Sequence, residues 1–194
     1  MNKRQMQKQK TRDVILKAAK RCFISRGFLD TTTSEIAGEA GIAHGTLFLH
    51  FPNKAQLIVT IFDMELDLIT AQIVSLVEQS SGIQQLLARY LLLLREQEDL
   101  FAVIARELPF YPAEIRRRIL FKESLLRQHF HRAIEQGTAS GKFIALDVPM
   151  ALTCLFGTIN YLLSLKPIFV SEGSVIVKFQ ERLLSTFTSL IKAR

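Results

Sequence analysis

The segment 32–57 carries the strongest structural signal in the chain, because its residues are typical of two short helices joined by a tight turn. Thr32 can cap the first helix, and Glu35, three residues later, can return a hydrogen bond to the backbone of the cap. Gly41 stands where a residue of positive φ ends a helix, and Pro52 ends the second helix. The pattern predicts a helix-turn-helix.

The second of these helices has two different sides. Leu47 and Phe51 lie together on a helical wheel and are expected to face the core. The side that mostly faces away from them consists of His44, Gly45, Phe48 and Leu49. Such a face can enter the major groove of DNA, although helical hairpins that do not bind DNA share the same spacing. The spacing alone leaves both interpretations open.

The distribution of charge favours the DNA-binding interpretation. Residues 1–54 contain ten Lys and Arg against four Asp and Glu, a net charge of +6. The whole chain has a net charge of +7, so the excess is confined to the segment that contains the motif. A compact basic segment attracts polyphosphate. Asn53 can also cap the next helix, and Lys54 in its first turn suits a phosphate.

The N-terminal residues 1–12 are polar and lack apolar periodicity. We expect this basic arm, which includes Lys10, to become ordered only on DNA. The first helix is expected to begin near Thr11. Its inward-facing residues are predicted to be Val14, Ile15, Ala18, Ala19, Cys22 and Phe23. No apolar stretch follows the basic N-terminus, so a secretory signal is not expected and a cytoplasmic location is.

Four spaced motifs resemble the tetracycline-repressor (TetR) family of bacterial regulators. They are R-x-x-I-L-x-A-A at 12–19, F-x-x-x-G-F at 23–28, T-T-x-x-x-I-A-x-x-A-G-I at 31–42 and G-T-L-F-x-H-F-x-N-K at 45–54. The resemblance covers about a quarter of the chain and is specific, since the motifs occur in the right order. It implies an all-α homodimer, in which a three-helix N-terminal helix-turn-helix domain is joined by a long helix to a C-terminal helical domain.

The resemblance also implies a function and a set of DNA contacts. A DNA-binding domain at 1–54 and an effector-binding and dimerisation domain at 55–194 would form a transcriptional regulator. Its expected form is a repressor of a palindromic double-stranded DNA operator, released by a small-molecule effector; an activator or a regulator without a ligand is the alternative. The operator-reading roles fall on His44, Gly45, Thr46, Phe48, Leu49 and His50. Lys54 is expected to contact phosphate, and Thr32 or Thr33 to lie beside the DNA backbone.

Three residues depart from the family pattern. The family usually has Ser before the reading helix and one or two Tyr before the His-Phe pair, where this chain has Ala43, Phe48 and Leu49. Ala43 cannot cap the helix through its side chain. Phe48 and Leu49 cannot donate a hydrogen bond to phosphate, but they can contact thymine methyl groups.

The C-terminal part is predicted to be helical throughout. A helix from 53 to about 80 would belong to both domains, so a ligand that tilts it would change the separation of the two reading helices in a dimer. Further helices are predicted at about 83–98, 99–108, 112–136, 147–165 and 174–193.

The segment 148–165 has no charged residue, which reaches the lower limit for a membrane span. A membrane-associated helical protein is therefore the competing interpretation. Pro149 and several polar residues within the segment favour a buried interface helix instead. With the final helix it would form a four-helix dimer interface, as the resemblance implies; an intramolecular core pair is the alternative. The expected interface residues are Ala151, Leu155, Gly157, Thr158, Phe179, Leu183, Phe187 and Leu190.

The effector site is predicted only in outline. Segments 53–136 are rich in Leu, Ile and Phe with isolated polar groups, as an apolar cavity for a small apolar or amphipathic effector requires. The candidate ligand contacts are Arg89, Tyr90, Arg106, Tyr111 and His129. The sequence has no glycine-rich phosphate loop, no metal-ligand cluster and no nucleophile motif, so no cofactor, metal or catalytic residue is expected.

Overall fold

The computed structural model describes residues 2–78 and 82–192, and in these segments it is almost entirely helical. The helices are α1 (Lys3–Arg26), α2 (Thr33–Glu39), α3 (His44–His50), α4 (Lys54–Glu78), α5 (Ile83–Glu96), α6 (Glu98–Glu107), α7 (Ala113–Ala139), α8 (Val148–Ser164), α9 (Lys166–Phe169) and α10 (Val175–Ile191). A short 3-10 helix, Leu108–Phe110, follows α6. The predicted all-α fold is confirmed.

The first three helices form the predicted helix-turn-helix. The Thr32 hydroxyl accepts from the backbone N–H of Glu35, and the Glu35 carboxylate accepts from that of Thr32 at 2.8 Å, which completes the capping box. Gly41 ends α2 with a φ of +65°. Ala43 begins α3 without a side-chain cap, as its methyl group requires. Leu47 and Phe51 are fully buried, so the inward side of α3 is confirmed.

Helix α1 begins at Lys3, so the prediction of a disordered arm with a helix start near Thr11 is wrong. Asn2 and Gln5 form a capping box that starts the helix early. The Lys, Gln, Met and Arg residues that follow favour helix, and this local preference does not require an apolar face. Residues 3–10 are all exposed. Val14 is also exposed, contrary to the predicted inward position.

Helix α4 connects the helix-turn-helix to the rest of the protein. It packs against α7, and the ion pairs Asp63–Arg118 at 2.8 Å and Asp67–Lys122 at 2.7 Å join the two helices. Its described end is Glu78, within two residues of the predicted end.

The remaining helices surround an apolar core in which α6 packs on α8 and α10 packs on α5. Glu98 is buried at the start of α6, where its carboxylate accepts the backbone N–H groups of Val175 at 2.9 Å and Ile176 at 3.2 Å. It therefore caps α10 from another helix, and Lys166 pairs with it at 2.9 Å.

Helix α8 is 17 residues long, and one side of it is buried in the protein core. Within residues 2–78 and 82–192, no helix has the length and apolar character needed to cross a membrane.

Candidate DNA-binding surface and effector cavity

The outward side of α3 is strongly apolar. Phe48 is 44% exposed and Leu49 is 79% exposed, beside the exposed residues His44 and Gly45. The imidazole of His44 lies 5.0 Å from the Phe48 ring in an edge-to-face arrangement. Its Nε2 is also 2.9 Å from the hydroxyl of Thr33. This contact links α2 to α3 and holds the His44 ring at the start of α3.

The C-terminal end of α3 is held by α1. The guanidinium of Arg12 donates to the backbone oxygen of His50 at 3.2 Å and lies 4.2 Å from the centre of the Phe51 ring. The sequence motif includes Arg12 but does not predict that it holds the end of α3. His50 is half-buried, and its buried Nδ1 has no hydrogen-bond partner among residues 2–78 and 82–192. Burial lowers the pKa of His50, and the nearby cations Lys8 and Arg12 lower this pKa further.

Lys54 is half-buried, and its ammonium group donates to the backbone of the turn between α1 and α2. The Nζ donates to the backbone oxygens of Phe28 at 2.6 Å, Leu29 at 3.1 Å and Thr31 at 2.8 Å, and lies 4.5 Å from the Phe28 ring centre. In the structure, which contains no DNA, Lys54 thus contacts the protein backbone, and its predicted phosphate contact stays a prediction. Burial lowers the pKa of Lys54, and the surrounding carboxylates, Glu107 first, oppose this shift.

The other predicted DNA contacts differ in accessibility. Lys10 is exposed on α1 and Thr32 is exposed at the start of α2. Thr33 and Thr46 are half-buried. The hydroxyl of Thr32 is engaged with Glu35 in the capping box.

The turn between α1 and α2, residues 27–32, is held by a residue of the C-terminal part. The buried carboxylate of Glu107, the last residue of α6, accepts the backbone N–H groups of Phe28 at 2.9 Å and Leu29 at 3.2 Å. It also accepts the hydroxyl of Tyr111 at 3.4 Å. Gly27 has a φ of +87°, and a Cβ on it would collide with the Glu107 carboxylate. We call this arrangement the Glu107 clamp.

A small cavity lies between α4, α5, α6, α7 and α8. Its volume is about 90 Å³, and most of its lining is apolar. Helix α6 contributes Phe101, Ile104 and Ala105 to the wall. The polar side chains that line it are Tyr90, Glu123 and Asn160.

The structure places one of the five predicted ligand contacts in this cavity. Tyr90 lines it, and its ring packs against Phe130 and Phe156. The other four do not line this cavity. Arg89 donates to Gln72, Arg106 is an exposed partner of Glu107, Tyr111 packs on Phe28, and His129 is half-buried on α7.

Sequence reasoning missed two polar residues of the cavity, Glu123 and Asn160. A helical pattern cannot distinguish an acid that faces a cavity from one that faces solvent, because the neighbouring helices decide which side is covered.

A second, open apolar groove runs between α8 and α10. Its volume is about 470 Å³. It contains most of the predicted dimer contacts, namely Leu155, Thr158, Phe179, Leu183, Phe187 and Leu190. Gly157 is exposed on α8. Ala151 is buried in the protein core and does not line this groove.

Two family models match the chain. Residues 15–61 match "Bacterial regulatory proteins, tetR family", and residues 80–164 match "Tetracyclin repressor-like, C-terminal domain". The HTH-type transcriptional regulator TtgR of Pseudomonas putida is 44% identical over 55 residues, which are 28% of this chain and 26% of TtgR. The chain thus spans about a quarter of the length of that relative.

Longer similarities cover most of the chain. The fatty acid metabolism regulator protein of Bacillus subtilis (strain 168) is 26% identical over 154 residues, 75% of this chain and 78% of that protein. The crystal structure of FadR from Bacillus subtilis in complex with stearoyl-CoA has a TM-score of 0.79 at 23% identity, and the alignment covers 91% of this chain and 97% of that one. The fold, the helix-turn-helix and both family matches agree: the chain belongs to the TetR family of bacterial transcriptional regulators.

Proposed function

We propose that this protein is a dimeric transcriptional repressor that binds a palindromic operator and is released by a small apolar or amphipathic effector. The observation that carries the proposal is the position of α6. This helix forms part of the cavity wall, and its last residue, Glu107, holds the turn that precedes the helix-turn-helix. A change in the cavity therefore has a direct physical route to the DNA-binding helices.

On the DNA side, residues 1–54 would be the binding domain. The exposed face of α3 offers His44 for hydrogen bonding, with Phe48 and Leu49 for thymine methyl groups. Since Lys54 is engaged internally, we assign the phosphate contacts to the exposed basic residues of α1, including Lys10. Helix α1 extends to Lys3, so these residues project along one helix.

On the effector side, residues 55–194 would bind the ligand and form the dimer. Ligand pockets are usually about 300–1,000 Å³, so a cavity of about 90 Å³ must widen to hold an effector. Widening would displace α6 or α4, both of which line the cavity and contact α1. The stearoyl-CoA in the FadR complex supports an amphipathic ligand class. The apolar groove between α8 and α10 supports a dimer with two reading helices.

Selection of bound sequences from random double-stranded DNA tests the proposal. We expect an enriched inverted repeat, with affinity that falls steeply as the salt concentration rises. A mixture with no enriched sequence would contradict it. Candidate apolar and amphipathic compounds are then screened by thermal shift, since a ligand of the native state raises the Tm, and each hit is tested for release of the selected DNA.

A further inference from the structure

The cavity contains a carboxylate whose charge is poorly compensated. The side chain of Glu123, on α7, is only 18% exposed, and it lines the cavity among apolar residues. Its nearest cation is Arg127, one helical turn later, at 3.9 Å. The Arg127 guanidinium is directed elsewhere: it donates to the Thr153 hydroxyl at 2.9 Å and lies 5.1 Å from the Phe156 ring centre. Among the described residues, no hydrogen-bond donor reaches the Glu123 carboxylate.

Such a group is unfavourable for the empty protein. The Glu123 carboxylate is largely buried, no described donor replaces the hydration that it loses, and burial therefore raises the pKa of Glu123. A packed core would be more stable with a neutral or apolar residue at this position. Destabilising polar groups that persist in a cavity are characteristic of functional sites.

The other two polar residues that line the cavity are Tyr90 and Asn160. Tyr90 is buried, whereas Asn160 is an exposed residue of α8 at the edge of the cavity. The three groups together offer several acceptor positions beside an apolar wall. None of the described residues that line the cavity is Lys, Arg or His, so the cation nearest to Glu123 is Arg127, 3.9 Å away and outside the lining.

We propose that the cavity binds the hydrogen-bond-donating head of an amphipathic ligand, an alcohol or a protonated amine on an apolar chain, with Glu123 as the principal acceptor. The apolar chain would contact Phe62, Leu66 and the α6 wall. A ligand with a carboxylate head is disfavoured, because its charge would meet that of Glu123. The inference deepens the proposed function, since it names the effector class of the same site.

The test measures binding of hexylamine, 1-hexanol and hexanoate to the full chain by calorimetry at pH 7.5. These probes share one apolar chain and differ in the head. A hydrogen bond to a charged group is worth enough for us to expect hexylamine to bind at least about tenfold more tightly than hexanoate. Glu123→Gln should remove most of that preference, and Glu123→Asp should keep it. Glu114→Gln, an exposed acid on the same helix, is the control and should change nothing.

Three results would overturn the inference: hexanoate bound as tightly as hexylamine, a preference unchanged in Glu123→Gln, or no binding of any probe. Operator affinity is measured in the same samples to separate this inference from the proposed function. Head-group preference without any effect on operator binding would contradict the effector role and leave the ligand class standing. Release of the operator by probes that bind without head-group preference would contradict the ligand class and leave the effector role standing.

Discussion

Lys54 uses its ammonium group to hold the α1–α2 turn. Three backbone oxygens, of Phe28, Leu29 and Thr31, accept hydrogen bonds from it. We expect Lys54→Met to lower the free energy of unfolding by about 1–2 kcal/mol, since these partly buried acceptors lose their donor. Denaturant unfolding measures this loss.

The matched control for Lys54 is Lys10→Met, in the exposed part of α1. It should leave stability unchanged and reduce the slope of log affinity against log salt by about 0.9. If Lys54→Met instead reduced the salt slope and left unfolding unchanged, its assignment to an internal role would be wrong.

Glu123 gives the protein a specific pH dependence. Its pKa is raised in the folded state, so the unfolded chain loses this proton at lower pH than the folded one. The loss of folding stability caused by ionised Glu123 is absent below the pKa of Glu123 in the unfolded chain. It grows as the pH rises from that value through the raised pKa of Glu123 in the folded protein. We therefore expect Glu123→Gln to raise the Tm at pH 8 and to have little effect at pH 4. An equal shift at both values would show that packing, rather than ionisation, is responsible.

Helix α6 acts as a connecting element because the cavity wall and the Glu107 clamp both include residues of this one helix of ten residues. Glu107→Gln removes the charge that accepts two backbone N–H groups. We expect a loss of about 1–3 kcal/mol in unfolding free energy and a weaker effect of effector on operator affinity. Titration of operator with and without effector measures the coupling. If the effector changed the operator affinity of Glu107→Gln as much as that of the unchanged protein, the effect would have to pass through α4 alone.

The glycine at the clamp provides an independent check on the same contact. Gly27→Ala places a methyl group against Glu107 at a positive φ, which costs at least about 1–2 kcal/mol. Gly38→Ala, inside α2 with open space around it, should be neutral or gain up to about 1 kcal/mol. If Gly27→Ala and Gly38→Ala changed the Tm equally, the close contact between Gly27 and the Glu107 carboxylate would be contradicted.

Local signals predicted the helices well, because caps and breakers act over a few residues. Thr32 caps α2 as predicted, and the ends of α5 to α8 lie within three residues of expectation. The structure adds side-chain caps by Asp147 and Ser174 at the predicted starts of α8 and α10. The same local rules explain the error in α1, whose early cap at Asn2 needs no apolar face. Side-chain partners were harder to predict. Lys54, Glu107 and Glu123 depend on helices distant in sequence, and their roles follow only from the packed arrangement.

As a whole, the molecule has an open apolar groove between α8 and α10, apart from the helix-turn-helix. In a repressor that reads two half-sites, this groove would hold the second subunit. Simultaneous binding of two linked reading helices strengthens affinity by about 10²–10⁴ without new contacts. Loss of the dimer should therefore remove operator binding even when every residue of α3 is intact.

A matched pair of substitutions on α10 tests this dependence. Leu190 lines the groove and Val177 does not, although each is 52% exposed. We expect Leu190→Glu to give a folded monomer whose operator affinity falls about 100-fold or more, because a buried charge would lack a partner at the interface. Val177→Glu should remain dimeric with unchanged affinity. Light scattering gives the mass and gel shift gives the affinity; a dimeric Leu190→Glu protein that binds the operator normally would move the interface to another face of the protein.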